Sequence, residues 1–523
     1  MKYPIGIQSF DQIIENGYVY VDKTDMIYSL VTLGKTYFLS RPRRFGKSLL
    51  LSTIKNYFMG RKNLFKGLYI ENLEEDWYEY PVFHIDFNGS DFTEKGSLAK
   101  RLEGYVSSWE KEYGVTSRGS DDDLGWRFIT VIKEACKQKG RGVVVLVDEY
   151  DKPILDVIDI DKSLEEEHRN MLKGFYSVFK AADEYLKFVF LTGVTKFSQV
   201  SVFSGFNQPS DISMEKEFET ICGITQDELE GYFKESILSM SKSDEYNCSY
   251  DEMIHILKKK YDGYHFSKKM TDIYNPFSLL NALRYQNISD YWFSSGTPSY
   301  LVRLLNHTDD NINELTGKYY SSDEFIDYKA DIERPLPMIY QSGYLTIKDF
   351  DREDNTFLLD YPNDEVKSGL ISVLAANYLK TEEQPKSWVR YAVSLLKKGK
   401  LDEFRDGLSS FLSSVPYSMR RKENERERER YFHYTFYLLM RIISVYTVYT
   451  EKQSSHGRVD CIIETPEYVY IFEFKLDGTA DDALRQINEK GYATPYKSDS
   501  RKIYKVGVSF SSITGTIEEW KNE

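Results

Sequence analysis

Two separate stretches of this chain carry residues whose types and spacing suit phosphate chemistry. In TYFLSRPRRFGKSLLLSTIKNYF a short apolar run, a basic loop and a helix-length pattern follow one another. Gly46 permits close backbone approach, Lys47 can reach the β- and γ-phosphates of a nucleotide, and the Ser48 hydroxyl can hold Mg2+. A helix starting near Lys47 would turn its free N–H groups and positive end toward the same anion, with Arg43, Arg44, Phe45 and Leu49 flanking it. The general pattern GxxxxGK[ST] asks for Gly where this chain has Arg41, and RRFGKS also fits a basic turn before an amphipathic helix. Downstream, GVVVLVDEYDKPI is an apolar run ending in Asp148 and Glu149. The first carboxylate can hold a Mg2+ shell and the second can polarise a water. Thr192 ends the next apolar run, KFVFLTGVTKFS, with Thr195 and Lys196 close by. A polar group there can contact a γ-phosphate or the attacking water, although threonine is common at strand ends for structural reasons.

The second stretch is HGRVDCIIETPEYVYIFEFKLDGTADDALRQINEKGY. Glu473 and Lys475 are two apart on a predicted strand, so they share a face. A hairpin through Thr465–Glu467 would bring Asp460 to that face. Two carboxylates there can bind Mg2+ or Mn2+, which activates a water and offsets charge on a phosphate. Lys475 would position or help deprotonate the water, and the predicted helix that follows carries Gln486. Alone, EFK on a strand also fits simple amphipathic alternation.

The elements that must position these groups are legible as alternating patterns. Thr36–Ser40, Val82–Phe87, Val143–Asp148 and Lys187–Thr192 are short apolar runs separated by helical patterns. They predict a parallel sheet in an α/β layer over residues 1–215. Residues 216–418 turn mostly helical, as in Gln226–Lys234, Asp251–Lys260 and Ser387–Lys397, with a hairpin at Tyr344–Lys348 and Thr356–Leu359. Met419–Arg430 is a mixed-charge run that suits a solvated helix and a domain junction. Over 419–523 the order is helix (Tyr431–Val445), strand (Val459–Glu464), strand (Tyr468–Lys475), helix (Asp481–Tyr492) and strand (Ile503–Ser509).

A chain of 523 residues needs more than one core, and 41% hydrophobic with 29% charged residues is a globular composition. No stretch is long and apolar enough to span a bilayer, and the first residues lack a secretory pattern. Four cysteines without CxxC spacing argue against a zinc site or a disulfide framework, so the chain reads as cytoplasmic. The net charge of −14 gives no support for non-specific nucleic-acid binding. It does not exclude nucleic acid, because a metal can supply the positive charge at the point of contact. The histidines form no metal spacing; His84 and His265 are expected to be packed or hydrogen-bonded.

YVYVDKTDMI, FLSRPRRFGKSLLLSTIKNYF, VLVDEYDKPI and LTGVTKFS together resemble the bacterial AAA-ATPase-like family, as do the later YDGYHFS and YNPFSLLNAL. In that family the phosphate loop itself carries arginines, so Arg41 departs only from the general motif. The resemblance implies an N-terminal P-loop ATPase of the ASCE/AAA-like type over 1–215. A helical middle region follows over 216–418, where GYLTIKDFDREDNTFLL suits a winged-helix hairpin. The long gap between the two nucleotide motifs implies an insertion around 60–140. GRVD, FEFK and ALRQINEKGY resemble the PD-(D/E)xK nuclease domain at the C-terminus of the same family, here 419–523. That likeness implies metal ligation by Asp460 and Glu473, with Glu429 completing the shell and Lys475 and Gln486 assisting. It also implies ATP at the first site, Mg2+ at both with Mn2+ an option at the nuclease, and nucleic acid as substrate, with DNA favoured over RNA and the choice between them left open by the residues. Relatives of this type often assemble through the ATPase domain, and a role in defence or mobile-element biology is compatible with the likeness. The competing expectation is a nucleotide-dependent switch or scaffold whose nuclease-like domain binds nucleic acid or protein without cutting.

Overall fold

The computed structural model describes residues 1–116, 123–196, 209–294, 315–326, 335–370, 386–414, 453–454, 457–458, 460–497, 499–511, 513–514 and 516–523. They form two compact units, Met1–Val366 and Lys367–Glu523. The charged run Met419–Arg430, the apolar segment Tyr431–Val445 and the residues Glu429, His433, His456 and Val459 lie outside the described residues.

The first unit is built on a five-stranded sheet of β1 (Thr36–Ser40), β2 (Val82–Asp86), β3 (Val143–Asp148), β4 (Leu186–Gly193) and β5 (Ser210–Asp211). The order is β2-β3-β4-β1-β5 and every pairing is parallel. Six consecutive residues of β3 are buried, which is why the strand reads as an unbroken apolar run and not as an alternation. Parallel pairing puts all C-terminal strand ends on one edge. Because β4 lies between β1 and β3, the ends of β1, β4 and β3 stand side by side, where open α/β sheets bind ligands. On one face, Phe83 stacks on Trp109 with centroids 4.4 Å apart and Phe128 stacks on Phe175 at 4.7 Å. These rings come from β2 and from the helices Ser97–Glu112, Leu124–Lys139 and Lys162–Ala181. The stretch expected as an insertion therefore contains a core strand and two core helices.

Beyond the sheet, helices Gln226–Ser241 and Tyr250–Tyr261 each open on a capping box, Thr225 with Glu228 and Ser249 with Glu252. Helix Pro276–Tyr285 starts with proline and is capped by Asn275. The three bury one another through Leu229, Phe233, Leu257 and Leu279. A short antiparallel pair, β6 (Ile224–Thr225) and β7 (Ile273–Tyr274), ties their ends together. The expected hairpin is present as β9 (Thr346–Asp351) and β10 (Thr356–Asp360), joined by β8 (Lys318–Ser321) in the order β8-β10-β9.

In the second unit a small pair, β11 (Gln453–Ser454) and β12 (Gly457–Arg458), precedes the main sheet. That sheet runs β13 (Cys461–Glu464), β14 (Tyr468–Leu476), β15 (Lys502–Phe510) and β16 (Ile517–Asn522). Only the β14–β15 pairing is parallel, with helix Ala480–Glu489 as its crossover. Alternation along β14 assigns its faces. Tyr470 and Phe472 pack with Leu396, Phe404 and Leu408 of helices Lys386–Lys397 and Leu401–Ser414. Val469 and Ile471 pack with Leu484 and Ile487 of the crossover helix, on the face that also carries Glu473 and Lys475. The strand at Lys502–Phe510 is not the last one, since β16 follows it. No helix among the described residues is long and apolar enough to cross a membrane.

Candidate functional site

At the C-terminal edge of the first sheet, β1 runs into the loop Arg41–Gly46 and helix Lys47–Phe58. Gly46 caps that helix with φ 98°, a conformation that strains any other residue, while the space its Cβ would fill is open. Glycine is therefore demanded here by backbone geometry and not by crowding. Lys47 is buried, and its ammonium donates to the loop carbonyls of Arg41 (2.9 Å) and Pro42 (3.1 Å). Ser48 and Leu49 occupy the first turn, both partly exposed. Asp148, at the end of β3, is buried and accepts the Thr192 hydroxyl at 2.7 Å. Thr192 is itself fully buried, and its hydroxyl also stands 3.4 Å from the Val147 carbonyl.

Glu149 has φ 52°, in the left-handed region that a glutamate rarely adopts. Burial, opposed by Lys47 and reinforced by Asp148, Asp151 and Asp86, pushes its carboxyl up to about 7. Asp151 is buried and accepts the backbone N–H groups of Val194 and Thr195, at 3.0 and 2.6 Å, and the Thr195 hydroxyl at 2.7 Å. It thereby ties the turn after β4 to the turn after β3. Asp86 stands directly opposite Asp148 in the β2–β3 register. A lysine and several carboxylates of different exposure are thus gathered around the mouth of a phosphate-type loop. The hard oxygens of Ser48 and Asp148 are the donors Mg2+ prefers.

In the second unit the β13–β14 register, continued by one residue, puts Asp460 opposite Glu473. Asp460 accepts the Phe474 backbone N–H at 2.9 Å. Glu473 is buried; one carboxylate oxygen accepts the Gln486 amide, and Lys475 stands 3.9 Å from that same oxygen. The Gln486 carbonyl oxygen accepts the Lys475 ammonium at 2.5 Å. Gln486 thus bridges acid and base from the crossover helix, its amide end on Glu473 and its oxygen on Lys475. The second oxygen of Glu473 is buried without a hydrogen-bond partner. Burial and the like charge of Asp460, opposed by Lys475 and Gln486, push the Glu473 carboxyl up to about 7. A buried acid with an unsatisfied oxygen beside a second carboxylate fits a divalent cation, which would supply the missing partner. Gly507 pairs with Glu473, and a Cβ on it would stand 2.3 Å from the Ala480 carbonyl. That close approach sets the crossover helix, and Gln486 with it, against the sheet.

A family described as Predicted AAA-ATPase, AAA-ATPase-like, matches residues 4–203, and the PD-(D/E)XK nuclease superfamily matches residues 427–520. The chain is 34% identical over 536 residues to "Uncharacterized protein in vnfD 5'region" of Azotobacter chroococcum mcd 1, with 99% of each chain covered. The chain belongs to the AAA-ATPase-like family. Its C-terminus is a PD-(D/E)XK nuclease superfamily domain. For this AAA-ATPase-like chain the geometry adds residues that the motifs did not single out. Asp151, in the run DEYD, needs the fold to bring Thr195 beside it, and Asp86 needs the β2–β3 pairing. Tyr492 is buried near the nuclease-type cluster, where the charges of Glu473 and Asp460 act on its hydroxyl. Arg41 is an anchor within the loop: its guanidinium donates to the carbonyls of Ser40 and Ser213, at 2.9 and 2.8 Å. His265 is hydrogen-bonded, to Asp272 and to the Ile347 carbonyl.

Proposed function

We propose that this protein is an ATP-controlled, metal-dependent nuclease that hydrolyses phosphodiester bonds, with DNA as its substrate. The observation that carries the reading is the convergence of Asp460, Glu473, Lys475 and Gln486 on one face of the second sheet, with one Glu473 oxygen left unsatisfied. Asp460 and Glu473 would hold Mg2+ or Mn2+, with Glu429 as a further carboxylate. The metal supplies Lewis acidity and a more acidic bound water. Lys475 holds positive charge where the attacking water and the phosphate must meet, and Gln486 keeps it from collapsing onto Glu473.

In the first unit, Arg43–Leu49 would wrap the phosphates of ATP, with Lys47 on the β- and γ-phosphates. Ser48 and Asp148 would bear Mg2+, and Glu149 would orient the hydrolytic water. Thr192, whose hydroxyl bonds Asp148, would hold that carboxylate in place for this. A cytoplasmic protein with this pair of activities, assembled through its ATPase domain, would suit defence against foreign DNA or mobile-element biology. The test is incubation of the purified protein with linear DNA, circular DNA and RNA, in Mg2+ or Mn2+, beside Lys475→Ala. Cleavage should require metal and should fall at least ~100-fold in the variant. Cleavage that survives Lys475→Ala, or metal-independent cleavage, would remove the site from consideration.

A further inference from the structure

Every residue of the phosphate loop from Arg41 to Phe45 meets a group from far along the chain. The Arg41 guanidinium lies over the Phe266 ring, 4.1 Å from its centroid, and bonds the Ser213 and Phe218 carbonyls at 2.8 and 3.2 Å. Pro42 lies against Gly343, where an added Cβ would stand 2.6 Å from the proline Cγ. The Arg43 carbonyl accepts the Trp292 indole N–H at 3.2 Å. Arg44, with φ 64°, places its guanidinium over the Phe277 ring at 4.1 Å. Phe45 is 1% exposed and meets Tyr264 and Phe266 edge-on, at 4.8 and 5.5 Å. Arg44 is exposed, but the contacts of Arg41 and Phe45 with Phe266 and Tyr264 are desolvated, and cation–π and aromatic contacts of that kind hold a loop conformation rigidly.

The Arg41 and Pro42 carbonyls that accept the Lys47 ammonium belong to residues seated on Phe266 and Gly343. The ammonium keeps a third N–H for phosphate, and an anion drawing on it pulls the ammonium, with the two carbonyls bound to it, toward the ligand. A small cavity of about 40 Å³, lined by Arg41, Pro42, Tyr264 and Phe266 among others, leaves room for a shift the size of one water. We propose that Phe266, with Tyr264, is a positioning residue of the nucleotide site, and that the segment Tyr261–Ser267 registers whether Lys47 holds phosphate. This rests on the nucleotide-binding reading of the loop and extends it to a segment outside the five-stranded sheet.

The experiment measures hydrogen exchange of the full chain with and without Mg2+ and the β,γ-imido analogue of ATP. Nucleotide affinity is titrated in parallel for wild type, Phe266→Leu and Phe266→Tyr. Saturation should change exchange in both the Arg41–Ser48 loop and Tyr261–Ser267. Phe266→Leu should weaken affinity about tenfold with its unfolding transition retained, and Phe266→Tyr should restore affinity because the ring face is kept. A wild type that binds nucleotide with unchanged exchange in Tyr261–Ser267, or a Phe266→Leu that binds as tightly as wild type, overturns the proposal and leaves the loop reading intact. A wild type that binds no nucleotide overturns both.

Discussion

Glu149 concentrates strain, burial and charge in one side chain. Its φ of 52° is held by the turn that follows β3, and its carboxyl is pushed up to about 7. A backbone forced into the left-handed region costs on the order of 1–3 kcal/mol, which a fold tolerates where the side chain must point in one direction. An acid poised near neutral pH is also well matched to accepting a proton from water. Glu149→Gln should therefore bind ATP as the wild type does while hydrolysing it at least ~100-fold more slowly. Parallel nucleotide titrations and phosphate-release assays would measure the two effects separately. If hydrolysis were unchanged, Glu149 would be a strained bystander and Asp151 or Asp86 would have to take its place.

At the scale of elements, the crossover helix decides whether the nuclease-type cluster exists at all. Gly507 leaves no room for a side chain between Ala480–Glu489 and β15: an added Cβ would stand 2.3 Å from the Ala480 carbonyl. Gly507→Val should push the helix outward, cost about 1–3 kcal/mol and separate Gln486 from Glu473 and Lys475. The readout is a lower thermal midpoint together with weaker Mn2+ binding; an unchanged midpoint would mean that the sheet yields and the contact is not limiting. The same elements show what can be read from residues alone. β1 and β3 were legible because strands buried on both faces are unbroken apolar runs, and Glu473 with Lys475 because two-residue spacing fixes a face. β16 was not legible: in IEEWKN the polar residues Glu518, Glu519, Lys521 and Asn522 are exposed, so no alternation marks it as a strand. Asp151, Tyr492 and the Phe266 socket were hidden for another reason. Each acts on a partner distant in sequence, and nothing local in DEYD, KGY or YHF announces that partner.

Across the molecule, several buried carboxyls share one direction of shift, and this predicts a pH dependence. Asp262 is 1% exposed with no hydrogen-bond partner on either carboxylate oxygen, and Lys258 is 3.9 Å away. Burial, reinforced by the like charge of Asp272 and opposed by Lys258 and Lys348, pushes it up to about 7. Its folded value lies above its unfolded one. The stability it contributes is therefore fully present below about pH 4 and lost as pH rises through 7. Glu365 shifts the same way. Exchange protection of helix Tyr250–Tyr261 should thus be lower at pH 8 than at pH 5 by on the order of 2–4 kcal/mol, and Asp262→Asn should reduce that difference. Equal protection at both pH values would mean that Asp262 is stabilised as an anion. The proposed function joins nucleotide hydrolysis to phosphodiester cleavage in one chain. The most direct test is DNA cleavage in Mn2+ with and without ATP, for wild type and for Lys47→Ala. The account predicts that ATP changes the wild-type cleavage rate and leaves the variant's rate unchanged. Equal cleavage with and without ATP in the wild type, with ATP still hydrolysed, would contradict control of the nuclease by nucleotide.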